Sequence, residues 1–147
     1  MNKQRDNALI SNWIDKANQD WRANPELGIL CIRTIELLTD VSFKHINHIT
    51  YQLVFQELGI DKSDAQAKNV VVVIDYLSSE RLKLLEMRFQ FQDSGASHLH
   101  QIDAIDVIEA MSDGNFYHPI TGELVEDFKQ KIFAYFVPSE QLRKVHG

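Results

Sequence analysis

The sequence predicts an α+β protein, helical in its first part and strand-bearing after that. Two patterns carry the prediction. From Ile10 to Leu77 apolar residues recur at helical spacing, and from Leu85 to Phe91 they alternate with polar ones. A third observation limits the alternatives: Cys31 is the one cysteine, so no disulfide framework holds the chain. A chain of 147 residues, 44% hydrophobic and 24% charged, can bury a core without such staples.

Residues 4–22 read as an amphipathic helix. Ile10, Trp13, Ile14, Ala17 and Trp21 fall on one face, and Asp6, Asn12, Asp15, Lys16, Gln19 and Asp20 on the other. Such a stripe either packs on the chain's own core or forms a homodimer or docking face, for which Ile10, Trp13, Ile14 and Trp21 are the candidates. A second helix opens at Asn24-Pro25-Glu26, with an N-cap, a proline at the first position and a carboxylate at the positive end. Leu27, Leu30, Cys31, Thr34, Ile35 and Leu38 form its inner stripe, which makes Cys31 a small core residue. Residues 42–58 read as one helix or a bent pair, ended by Gly59.

Ser63-Asp64-Ala65-Gln66 has capping-box spacing and predicts a helix reaching about Leu82. The β-branched run from Val70 to Ile74 would suit a strand. The cap before it, and the stripe Val70, Val71, Ile74, Leu77, favour a helix. Residues 83–92 form the clearest strand, with Leu85, Met87, Phe89 and Phe91 on the buried face. Asp93-Ser94-Gly95 makes a turn, and His98 to Gln101 a return strand. Asp103 to Met111 is a short helix, with Ile105 and Ile108 inward and Gly114 at its end. Tyr117 to Gly122 is a tight turn, Glu123 to Val125 and Lys131 to Val137 are strands, and Ser139 caps a last helix.

Net charge is −6. That balance speaks against a protein that coats nucleic acid. Residues 98–147 carry 4 Lys+Arg against 8 Asp+Glu, which makes that segment an unlikely DNA contact and either a docking face for a basic partner surface or a cover for the apolar face of the Leu85–Phe91 strand. No apolar run is long enough for a transmembrane helix, and the polar N-terminus lacks a signal core, so a cytoplasmic protein without membrane contact is expected.

The order helix, helix, turn, helix, strand, turn, strand over residues 25–101 resembles a winged helix-turn-helix domain. Phe55 to Ile60, Ile74 to Leu77 and Leu84 to Phe91 carry the resemblance. His118 to Phe128 vaguely resembles accessory modules of bacterial multicomponent systems. The resemblance implies an N-terminal helix (1–24), a winged-helix-like core (25–101) and a small C-terminal α/β appendage (102–147). It also makes residues 63–79 a recognition helix. Lys62, Gln66, Lys68 and Asn69 would then face outward, with Arg88, Gln90 and Gln92 on the wing strand, ready for phosphates and base edges or for a protein partner. Asp61, Asp64 and Asp75 in the same region thin the basic charge that DNA requires.

Of the six histidines, His45 and His48 share a face of the expected helix, and His98 and His100 a strand face. No ligand set for structural zinc emerges, so no metal is expected. Glu123, Glu126 and Asp127 near His118 read as a solvated rim rather than an acid–base cluster. With no phosphate loop or nucleophile motif, no cofactor and no catalysis are expected. The sequence therefore points to an adaptor or regulatory subunit that binds a protein partner, with a dimeric, sequence-specific DNA-binding regulator as the alternative.

Overall fold

The computed structural model describes residues 3–93 and 99–147. It is mixed α+β, with six α-helices and one three-stranded antiparallel sheet among the described residues. Contacts divide the chain into two compact units. One joins Met1–Glu86 to Phe136–Gly147, and the other is Met87–Tyr135. These divisions differ from the expected boundaries after residues 24 and 101.

In the first unit, α1 (Lys3–Asp20) packs against α2 (Pro25–Thr39) and α6 (Glu140–His146). Trp13 and Ala17 of its apolar stripe are buried in the chain's own core, with Ile10, Ile14 and Trp21 half-buried against it. Trp13 is 2% exposed and its indole N–H donates to the Leu82 carbonyl at 3.2 Å. The helix end is tied down as well, because Asp20 accepts from both the Tyr76 hydroxyl and the Arg81 guanidinium. Those bonds, Arg81's first, hold the Asp20 carboxyl below its ordinary range. A separate N-terminal element is thus replaced by an integral helix, and Trp13 is unavailable to any partner.

Asn24 caps α2 by accepting from the Leu27 N–H, with Pro25 at the first turn. Cys31 lies fully buried, and burial pushes its thiol up to about 12, so it is a core residue rather than a nucleophile.

The helix expected over residues 42–58 forms only as α3 (Tyr51–Leu58), after a short 3₁₀ turn at Val41–Phe43. Ile49 explains the break. Its N–H donates to the Phe136 carbonyl at 2.8 Å and its carbonyl accepts from the Phe136 N–H at 2.7 Å. Backbone groups engaged in that bridge cannot also serve a helix. Thr50 instead caps α3, accepting from the Leu53 N–H. His45 and His48 accordingly stand in irregular, exposed chain and share no helical face. Gly59 ends α3 at φ +69°, as its left-handed position requires.

The expected capping box does not form. The Ser63 N–H and hydroxyl turn to Asp61, and the Gln66 N–H donates to Asp64. Two aspartates at these spacings outbid the serine for local donors. Helix α4 (Ala67–Leu77) therefore starts later, without a side-chain cap. Its β-branched run is helical, because Val70, Val73, Ile74 and Leu77 fall on one face and are fully buried against α2 and α3. Packing of that face overrides the residues' preference for strand.

Strand β1 (Leu85–Gln92) begins in the first unit and continues into the second, and β3 (Ile132–Pro138) runs back. The sheet order is β2-β1-β3, with β2 (Leu99–Ile102) pairing Phe89 to Ile102 and Phe91 to His100. The turn expected at Asp93-Ser94-Gly95 reaches beyond the described residues, and His98 lies outside them.

Phe91, Ile102, Val107, Ala110, Phe116 and Phe128 form the core of the second unit. That core gathers at the Phe91 end of β1. Met87, expected inside, is 37% exposed. Helix α5 (Ala104–Asp113) ends at Gly114 as expected, but its inward residues are Val107 and Ala110. Ile105 and Ile108, expected inward, face solvent at 65% and 63% exposure. The expected strand at Glu123–Val125 is reduced to one bridge, Tyr117 to Leu124. Ser139 caps α6, accepting from the Leu142 N–H.

Candidate functional site

Two arrangements in the second unit gather side chains capable of chemistry or recognition. The first is at the end of β1. The Asp93 carboxylate sits between the His118 and His100 rings, at 2.8 Å and 3.1 Å from their Nε2 atoms. Both rings lie against Phe91, with centroids 5.4 and 6.1 Å from its ring. The histidines come from β2 and from the turn after Tyr117, so Asp93 fastens three segments together.

The backbone sets the tautomer of His118. The N–H groups of Ile120 and Thr121 donate to its Nδ1 at 3.0 and 3.2 Å. Nδ1 must therefore present a lone pair, and the neutral ring carries its proton on Nε2, where it donates to Asp93. The three ligating atoms lie within 4.8 Å of one another, close enough to surround a metal ion. Yet a neutral imidazole bound to a metal through Nε2 carries its proton on Nδ1. Here that proton would face two amide hydrogens. The geometry is that of a hydrogen-bonded clasp.

The His118 bond, with His100 second, holds the Asp93 carboxyl below its ordinary range. A carboxylate depressed in the folded state contributes stability above its unfolded value of about 3.9 and loses it as pH falls through the folded value. Asp93→Asn should therefore be less stable than wild type above about pH 4, and the gap should close on acidification. Amide exchange at Gly122, whose N–H donates to the His118 carbonyl, reads this locally. A gap unchanged down to the acid limit would refute the clasp.

The second arrangement is the outer surface of α5. Ile105, Ile108 and Met111 are spaced three apart and exposed at 65%, 63% and 48%, forming an apolar ridge. Beside it, Asp106, Glu109 and Asp113 line a groove of about 310 Å³, whose lining also includes Asn115, Tyr117 and Pro119. No Lys or Arg stands between Arg88 and Lys129, a stretch that carries eight carboxylates.

The residues singled out from the sequence scatter. Lys62, Gln66 and Lys68 are exposed and Asn69 is half-buried, all in the first unit at or before the start of α4. Arg88 and Gln90 are half-buried and Gln92 is exposed, all in the second unit. Ile10, Ile14 and Trp21 are half-buried against the first core, and Trp21 meets the Tyr76 ring edge-on at 5.1 Å. Glu123, Glu126 and Asp127 are exposed, and the carboxylate at His118 is Asp93 instead. The chain matches no protein-family profile, no curated protein sequence and no solved structure. Sequence reasoning missed the clasp and the exposed ridge, although the acidic balance of residues 98–147 marks that module as a candidate docking face for a basic partner surface. The clasp joins residues too far apart for spacing to connect. The absence of Lys and Arg between Arg88 and Lys129 was readable in the sequence.

Proposed function

We propose that this chain is a non-enzymatic, winged-helix-like adaptor that works by binding another protein. The observation that carries the proposal is the exposed ridge Ile105, Ile108, Met111 on α5, set in a segment without Lys or Arg. Large apolar residues aligned on one outward face mark interaction surfaces more than scattered ones do. The winged-helix part rests on element order: α2, a bridging residue at Ile49, α3, α4, β1 and then β3, which pairs with both Ile49 and β1. In that reading the second unit is an enlarged wing. Fold alone leaves the kind of partner open. A DNA-binding regulator draws its support from Lys62, Gln66 and Lys68, exposed at the start of α4.

One experiment separates the two readings: capture of partners by the tagged full chain from its native cells, with and without nuclease. The adaptor reading expects capture that survives nuclease and is lost in Ile105→Ser with Ile108→Ser. Capture abolished by nuclease and by Lys62→Ala with Lys68→Ala, but indifferent to the α5 changes, would overturn it in favour of DNA.

A further inference from the structure

We infer that the α5 surface receives a basic amphipathic helix of a partner protein, its apolar face on Ile105, Ile108 and Met111 and a Lys or Arg side chain in the adjoining groove. This rests on the adaptor reading and names its partner's chemistry. Three features of α5 lead there.

The helix has three faces. Val107 and Ala110 are buried, Ile105, Ile108 and Met111 are exposed and apolar, and Asp106, Glu109 and Asp113 are acidic. A straight ridge along one helix fits the side-chain grooves of a second helix laid beside it. The acidic face lies along one border of the ridge, so an apolar stripe with basic residues along its matching border would meet complementary groups. Such complementarity selects partners by charge as well as by burial.

The groove supplies the specific contact. Its floor is apolar, at Ile102, Ala110 and Phe116. Three carboxylates line one side, and Tyr117, 59% exposed, and Pro119 stand on the other. A long basic side chain has an apolar stem and a cationic head. The floor suits the stem, the carboxylates suit the head, and the tyrosine face offers a cation–π contact. An acidic partner or an anionic membrane surface would be repelled by the same groups.

The test titrates the full chain, by calorimetry, with three synthetic helices that share a leucine face and differ in their polar face: lysine, glutamine or glutamate. The lysine helix should bind tightest and weaken as salt rises from about 50 to 200 mM. Replacing Asp106→Asn, Glu109→Gln and Asp113→Asn together should weaken it about tenfold, since each exposed ion pair contributes a fraction of that. The variant should also flatten the salt dependence. Ile105→Ser with Ile108→Ser should abolish binding of the lysine helix. All these positions are exposed, and an unchanged urea transition confirms that the variants fold. If the glutamine helix binds as well as the lysine helix and still requires Ile105 and Ile108, the basic-partner inference falls and the adaptor reading stands. If no helix binds, the inference falls and the capture experiment alone decides the adaptor reading.

Discussion

Trp13→Ala is expected to destabilise the first unit by about 3–5 kcal/mol, the range for truncating a buried tryptophan. The side chain is 2% exposed and its indole N–H donates to the Leu82 carbonyl, so the substitution opens a cavity and orphans an acceptor together. Against a total of about 5–15 kcal/mol for a typical domain, that is a large fraction. Urea unfolding followed by the fluorescence of Trp21 measures it. Ile108→Ala, at 63% exposure, should change stability by no more than about 0.5 kcal/mol and serves as the control. A Trp13 variant as stable as wild type would mean that the α1 stripe is held by something other than this core.

Removal of the last twelve residues, Phe136–Gly147, should abolish cooperative folding of the first unit. Phe136 and Leu142 are buried in its core at 0% and 1% exposure, and losing the Phe136 side chain alone costs about 3–5 kcal/mol. The deletion also takes both backbone bonds to Ile49 and the bond from the His146 ring to the Leu38 carbonyl. Excision of residues 93–130 should have the opposite outcome. The Gln92 N–H donates to the Lys131 carbonyl at 2.9 Å, so the cut ends are already adjacent, and an Asn-Gly turn can join them. With Phe91→Thr to avoid an exposed aromatic, that chain should keep the tryptophan-reported transition of the first unit, because both tryptophans lie there. Calorimetry and fluorescence compare the two. A tail-less chain that still unfolds cooperatively would contradict the assignment of residues 136–147 to the first unit.

Where one element dominates its own packing, the sequence was a sufficient guide. Asn24-Pro25 starts α2, Gly59 and Gly114 end α3 and α5, Ser139 caps α6, and the run from Val70 is helical because its stripe is. Expectations failed where another residue, near or remote, competes for local groups. The 42–58 stretch has helical spacing, yet Phe136 engages the backbone of Ile49 from 87 positions away. Ser63 has a capping position, yet Asp61 draws its hydroxyl. On α5, periodicity left two faces eligible for burial, and the small Ala110 with Val107 went inside while the larger Ile105 and Ile108 stayed out. Hydrophobicity ranks the isoleucines first, so the site was concealed by the rule that usually finds a core. The clasp of Asp93, His100 and His118 exists only once three segments meet.

The first unit is interrupted along the chain and the second is continuous, and this gives them different histories during synthesis. A ribosome delivers every residue of the second unit, Met87 to Tyr135, before it has delivered Phe136, Ser139 or Leu142. Until residues 136–147 follow, the part of the larger core that Phe136 and Leu142 fill stays open, the state in which nascent chains aggregate or are held by chaperones. Emergence of residues 136–147 becomes the event that closes the larger core. A message truncated just ahead of codon 136 would yield a chain with all the residues of its acidic unit but an open, protease-sensitive larger one.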